Sequence, residues 1–154
     1  MGGGTLIGLS KLIIGIDDYD KIIELSSKGN NENVDLTKKH ILKTKENDKS
    51  YENEVISSLG KIHEYILDGK KDQLKKEDIS LSLLNMICSH IAQYSVLYAE
   101  KNKINAIYYL GTFTQNSFVV KTLYKASKHW NKNIKVRFNN YNGYLGSIGT
   151  ILNN

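Results

Sequence analysis

The chain contains no proline, a single cysteine, a single tryptophan and, among its 21 basic residues, a single arginine. Each scarcity removes a class of explanation. One cysteine, Cys88, can form neither an internal disulfide nor a Cys-paired zinc site. It falls in an apolar helical stretch, where a free cysteine usually packs as a small hydrophobe. With Arg137 as the sole arginine, the net charge of +5 lacks the guanidinium forks that read base edges and clamp phosphates. The lysines scatter over 38–49, 61–76 and 121–135 without interleaved aromatics, so nucleic acid is not an expected partner. The missing proline, beside abundant Lys, Asn and Ile, fits a drift in codon composition better than selection for a basic face. Long apolar runs are also missing. Stretches such as 12–16 and 96–99 fall far below the roughly 20 residues that span a bilayer, and no basic-then-apolar leader opens the chain. A cytoplasmic location with no membrane partner is the expectation.

What is present fits one globular unit of 154 residues, 40% hydrophobic and 24% charged. Gly2-Gly3-Gly4-Thr5 reads as a loop opening into a helix that carries Leu6, Ile7, Leu9, Leu12 and Ile13 and ends at Gly15. Asp17 or Asp18 is placed to cap a second helix with Ile22, Ile23 and Leu25 on one face, stopped by Gly29. Val34, Leu36, Ile41 and Leu42 predict one more short helix, and 43–54 a polar surface loop. Residues 55–66 read either as a strand entering a helix or as a single helix, with a break at Gly69. The strongest pattern is a helix over 78–100 with Asp78 as cap. Its stripe is Ile79, Leu83, Ile87, Ile91, Tyr94 and Tyr98, widened by Leu84, Cys88 and Ala92. A buried strand over 106–110 stops at Gly111. Asn116 caps a helix whose packing face is Phe118, Val119, Val120, Leu123, Tyr124 and Trp130; a second strand covers 134–138, and a glycine-rich helix closes the chain at 143–152. That alternation of helices and strands describes a layered α/β domain.

Three segments invite chemistry. Successive glycines at a helix start let backbone N–H groups converge on an anion, and the helix end adds partial positive charge. Gly2, Gly3, Gly4 and Thr5 suit that use, although a glycine-rich start is equally the pattern of a flexible terminus. Tyr109-Leu110-Gly111-Thr112-Phe113 ends a strand where open α/β sheets bind ligands, or is an ordinary strand-to-helix turn. Gly143-Tyr144-Leu145-Gly146-Ser147-Ile148-Gly149 would be a costly helix unless it lies close to a neighbour or a ligand. His40, His63, His90 and His129 make no metal-ligand spacing, and no Gly-x-Ser-x-Gly elbow occurs, so neither a metal site nor a serine nucleophile is expected.

In order and spacing, these pieces resemble the eukaryotic-type pantothenate kinases nearly end to end. The resemblance is carried by Gly-Gly-Gly-Thr-Leu-Ile-Gly-Leu at 2–9, Lys28-Gly29, Asn33-Val34-Asp35, Ile56-Ser57-Ser58-Leu59-Gly60 and the Lys75-Lys76-Glu77-Asp78 lead into helix 78–100. Tyr-Leu-Gly-Thr-Phe at 109–113, Trp130 and the glycine segment at 143–149 complete it. The resemblance implies the second, C-terminal, ribonuclease-H-like lobe of an acetate-and-sugar-kinase/Hsp70/actin-type fold, without its N-terminal lobe. It further implies use of ATP with Mg2+ to phosphorylate pantothenate, the first step of coenzyme A synthesis, with homodimerisation and feedback by acyl-coenzyme A. Gly2, Gly3, Gly4 and Thr5 would lie by the ATP phosphates and Gly111 near the adenosine. Trp130 would border the pantothenate or acyl-coenzyme A tail across a dimer, in a pocket that Val55 and Ile56 also line. Two departures stand out: Thr112 replaces a common Asn, and Ile56 is bulkier than the usual Ala.

The family's first phosphate loop, catalytic glutamate and substrate-holding arginine all precede the glycine triplet, so no catalytic residue is assigned in this chain. The expectation is a kinase fragment with little or no activity alone. The alternative is a non-catalytic module that binds nucleotide or dimerises and complements a complete kinase.

Overall fold

The computed structural model describes residues 1–42, 54–139, 144, 150 and 151, with 41 and 42 by backbone only. The expected polar loop, apart from Glu54, and most of the expected closing helix lie outside the described residues. Contacts divide the chain into two compact units, one of 6–86 and one of 1–5 with 87–154. The described residues are α/β, mostly helical, with two two-stranded sheets.

In the 6–86 unit, helix α1 (Gly3–Ile14) buries Leu6, Ser10 and Ile14, the i, i+4, i+8 stripe of a helix lying on a core. Gly15 then turns left-handed at φ 77° and its N–H reaches the Lys11 carbonyl at 3.1 Å, the expected glycine stop. Asp18, not Asp17, caps α2 (Tyr19–Lys28), its carboxylate accepting from the Lys21 N–H at 2.7 Å. Asp17 instead pairs with Lys11 at 2.9 Å, and that ammonium holds its carboxyl below the usual range. Gly29 ends α2 in an extended conformation, so left-handedness is not why glycine stands there. Its role is clearance. A Cβ on Gly29 would lie 2.6 Å from the Glu77 carbonyl carbon and closer still to its oxygen.

The helix expected to carry Val34, Leu36, Ile41 and Leu42 is instead strand β1 (Leu36–Thr37) and a short helix α3 (Lys38–Leu42), preceded by a 3-10 turn (Asn31–Asn33). Leu36 joins a strand because its partner is distant in sequence. β1 pairs antiparallel with β2 (Val55–Ser57), placing Leu36 opposite Ser57 and Thr37 opposite Val55. Of the two readings of 55–66, a strand entering a helix is therefore correct; α4 (Ile62–Leu67) follows, and Gly69 closes it at φ 69°. Helix α5 (Lys76–Lys101) begins earlier than expected, so Asp78 is not its cap. The buried Asp78 carboxylate turns outward from its own helix and accepts from the Asn30 N–H at 2.7 Å and the Asn33 amide at 2.8 Å.

In the second unit, β3 (Ala106–Tyr109) and β4 (Lys135–Phe138) run parallel in continuous register, Ala106 opposite Lys135 and Tyr109 opposite Phe138. Parallel neighbours need a crossover, and α6 (Ser117–Trp130) supplies it. Asn116 caps α6 as expected, its side-chain oxygen accepting from the Phe118 N–H at 2.8 Å. The inner stripe of α6 is Val119, Leu123 and Ser127, and the Ser127 and Tyr109 hydroxyls share a buried hydrogen bond of 3.0 Å. Val96, Ala99 and Ile134 form a core cluster flanked by Ile107 and Val136.

The aromatic ends of the expected stripes are not core. Tyr94 and Tyr98 are 69% and 68% exposed, and Tyr124 and Trp130 also face solvent. The reason lies in α5. The Ser80–Leu84–Cys88–Ala92–Val96 row is buried along the helix, whereas the adjacent Ile79–Leu83–Ile87 row loses its cover beyond Ile87, so Tyr94 and Tyr98 emerge into solvent. Tyr108 on β3 is exposed as well, so only Tyr109 of that expected buried strand is fully covered. Among the described residues, no helix is long and apolar enough to cross a membrane.

Cys88 is fully buried, and burial pushes its thiol from an ordinary 9.0 up to about 12. Because the folded value is raised, the stabilisation from the neutral thiol is complete below about pH 9 and is lost as pH climbs towards 12. At pH 8 the native protein is expected to resist iodoacetamide while the guanidinium-unfolded chain is alkylated readily. Equal labelling rates in the two states would contradict this.

Candidate functional site

Two glycine-bearing segments meet in the unit built from 1–5 and 87–154. The glycine triplet is not the loop that its composition predicts: α1 starts at Gly3, so Gly3, Gly4 and Thr5 are its first turn and Gly2 precedes it. Once the apolar run from Leu6 has nucleated a helix, extending it back over the glycines is cheap compared with starting a new element. The first-turn N–H groups of any helix lack intrahelical acceptors, and this first turn carries no acidic side chain to compete for them. The end therefore carries the partial positive charge of a helix N-terminus.

Packing gives no reason for three glycines here. A Cβ on Gly2 or Gly4 would meet nothing within 4 Å, and one on Gly3 would make ordinary contact with the Phe113 ring at 3.4 Å. Glycine inside a helix costs about 1 kcal/mol relative to alanine. The space over this turn is therefore left open by the protein's own side chains.

Phe113 belongs to the turn that follows β3, so Gly3 and the Gly111 segment adjoin. Gly111 adopts φ 111° and ψ 166°, a conformation essentially confined to glycine. Its carbonyl accepts from both the Thr114 N–H at 3.1 Å and the Thr114 hydroxyl at 2.9 Å, fixing a 3-10 turn (Thr112–Gln115) ahead of the Asn116 cap. A Cβ on Gly111 would also face open space. Thr112, the replacement for a common Asn, is exposed at the rim of this turn.

The remaining expected site residues are not gathered here. Trp130 ends α6, about 20 Å along that 14-residue helix from its cap, with its ring edge-on to His129 at 5.6 Å between centroids. Val55 and Ile56 lie on β2 in the 6–86 unit, both exposed. Two residues that take no role of their own from the sequence motifs also matter. Phe113 links the glycine turns, and Asp35 is a fully buried carboxylate in the 6–86 unit, two of whose partners, Leu59 and Ser82, are far away in sequence. Among the described residues, no three His, Cys, Asp or Glu side chains stand together to hold a metal.

A glycine-led helix start thus adjoins the turn that follows the carboxyl end of a parallel strand in an α/β protein. The chain belongs to the Fumble family, whose profile it matches over residues 1–153. It is 33% identical over 160 residues to the pantothenate kinase of Schizosaccharomyces pombe, an alignment covering 99% of this chain and 38% of that protein. Pantothenate kinase 2 of Arabidopsis thaliana is 32% identical over 157 residues, covering 99% of the chain and 17% of the relative. The 4'-phosphopantetheine phosphatase of Mus musculus is 31% identical over 156 residues, covering 99% and 18%. The chain thus spans less than half the length of each of these relatives.

Proposed function

We propose that the chain is the nucleotide-gripping lobe of a cytoplasmic pantothenate kinase, one ribonuclease-H-like lobe of the acetate-and-sugar-kinase/Hsp70/actin type. The observation that carries this reading is the meeting of the open Gly2–Thr5 turn with the Gly111 turn through Phe113. Gly2, Gly3, Gly4 and Thr5 hold the phosphates of MgATP and Gly111 adjoins the adenosine. Val55, Ile56 and, across a homodimer, Trp130 line the pocket for pantothenate or a feedback acyl-coenzyme A. Phosphoryl transfer also needs a group that activates the substrate hydroxyl. The two buried aspartates among the described residues, Asp35 and Asp78, are engaged by three and two hydrogen-bond donors respectively, so neither takes that role. The lobe binds nucleotide and leaves the chemistry to residues elsewhere.

A second reading, a non-catalytic nucleotide-binding module, draws support from the mouse relative. Alignments covering 99% of the chain reach proteins named for a kinase and for a phosphatase, so what this segment contributes to both need not be turnover.

Thermal melting of purified 1–154 tests the grip. At MgATP a hundredfold above Kd, binding is expected to add about 2.7 kcal/mol, a rise of about 5–10 °C for a chain of this size. Gly4→Val is expected to leave the apo chain at least as stable, because its side chain has room, and to remove the nucleotide-dependent rise. Identical melting of the wild type with and without MgATP would refute the proposal. Product formation from pantothenate and labelled ATP by the chain alone would instead refute the division of labour.

A further inference from the structure

Strand β2 raises a question that the nucleotide turn does not. All three of its residues are exposed, including the apolar Val55 and Ile56, so burial of its own side chains does not hold it in place. Polar ties hold it instead. At one end the Lys38 N–H donates to the Glu54 carbonyl at 2.9 Å, and the Lys38 ammonium pairs with the Glu54 carboxylate. At the other end Leu59, in the left-handed region at φ 60°, donates its N–H to Asp35 Oδ1 at 2.7 Å. The same Asp35 oxygen accepts from the Ser82 hydroxyl of α5, and Oδ2 accepts from the Asn31 side-chain amide at 2.7 Å. Gly60, next in the chain, sits close to Leu36 and Ser57, since a Cβ there would come to 2.8 Å from the Leu36 side chain and 3.0 Å from the Ser57 Cβ.

We infer that Asp35 is the positioning residue for β2: its buried carboxylate joins the 3-10 turn, α5 and the Leu59 turn, and so fixes the exposed strand whose apolar side chains, Val55 or Ile56, meet a ligand's apolar tail. A buried carboxylate is tolerated when charge-assisted hydrogen bonds replace its lost water, and three donors from three elements do so here. A rigid polar post beneath an exposed apolar strand preorganises a binding surface, because a strand already fixed loses little freedom when a ligand docks. The inference rests on the proposal that Val55 and Ile56 line the pantothenate or acyl-coenzyme A pocket.

The test combines amide spectra of residues 55–59 in apo 1–154 with acetyl-coenzyme A titration. Asp35→Ala strands three donors and is expected to displace the 55–59 resonances and weaken acetyl-coenzyme A binding by about tenfold or more, as small displacements of a preorganised site do. Asp35→Asn keeps an oxygen for Leu59 and Ser82, and its NH2 faces an Asn31 amide that can turn over to accept. This variant is expected to restore the spectrum and to bind within about threefold of wild type. A folded Asp35→Ala chain with unmoved 55–59 resonances overturns the assignment. If that variant does not fold, Ser82→Ala decides in its place: shifts at 55–59 support the role and none overturns it. Wild-type chain that binds no acetyl-coenzyme A overturns the pocket reading and the ligand role with it, while the apo spectra still decide whether Asp35 fixes β2.

Discussion

Gly29→Ala is expected to destabilise the chain by about 3 kcal/mol or more, at the upper end of overpacking costs, and to lower Tm by about 10 °C. The added methyl would enter the space of the Glu77 carbonyl group, with the Asp78 nitrogen only 3.1 Å away. All three obstructing atoms are backbone in the first turn of α5, so no rotamer change relieves the clash; α5 or the end of α2 must move. Movement there also strains the adjoining bonds from Asn30 and Asn33 to the Asp78 carboxylate, so the damage is not confined to one contact. By contrast, Gly8→Ala on α1 meets nothing within 4 Å and is expected to raise stability by up to about 1 kcal/mol. Thermal melts of the two variants make the comparison, and a Gly29→Ala protein melting like wild type would show that the α2–α5 approach is looser than described.

Leu84→Ala is expected to cost about 2–5 kcal/mol, the range for emptying a fully buried leucine site, whereas Tyr98→Ala on the same helix is expected to stay within about 0.5 kcal/mol. Leu84 is 0% exposed and Tyr98 is 68% exposed, although both carry the hydrophobic signal that predicts a core helix. Urea unfolding of both variants measures the contrast. A large loss for Tyr98→Ala would mean that this exposed side of α5 is covered in solution.

That pair shows what the sequence could and could not reveal. Periodicity located α5 within two residues at its start and one at its end, because a long amphipathic run constrains its own conformation. It did not reveal that beyond Ile87 the buried face narrows to the row through Cys88, Ala92 and Val96, since that depends on where the neighbouring elements lie. The caps at Asp18 and Asn116 were legible because they are local, each satisfied by an N–H two or three residues on. Asp78 looked equally cap-like, yet its carboxylate is claimed by Asn30 and Asn33, nearly fifty residues back. β1 was missed because two residues become a strand only through Ser57 and Val55. At the site, the glycine triplet and Gly111 were each visible as motifs. That they adjoin depends on the Phe113 ring, and no spacing rule links residues 3 and 113. Val55, Ile56 and Trp130 came from family resemblance alone, having no local pattern that joins them.

The parallel pairing of β3 with β4 has a consequence for how the chain folds. Its partners are about 29 residues apart in sequence, and every rung of the ladder waits for the intervening α6 to form and fold back. Closing such a loop is entropically unfavourable until both ends are held, so the ladder is a late event while the capped helix is an early one. The Gly111 turn is set between them, at the junction of a quick element and a slow one. The Gly111 turn can set early through its own Thr114 bonds, but its approach to Gly3, more than a hundred residues away in sequence, belongs with the slow long-range contacts.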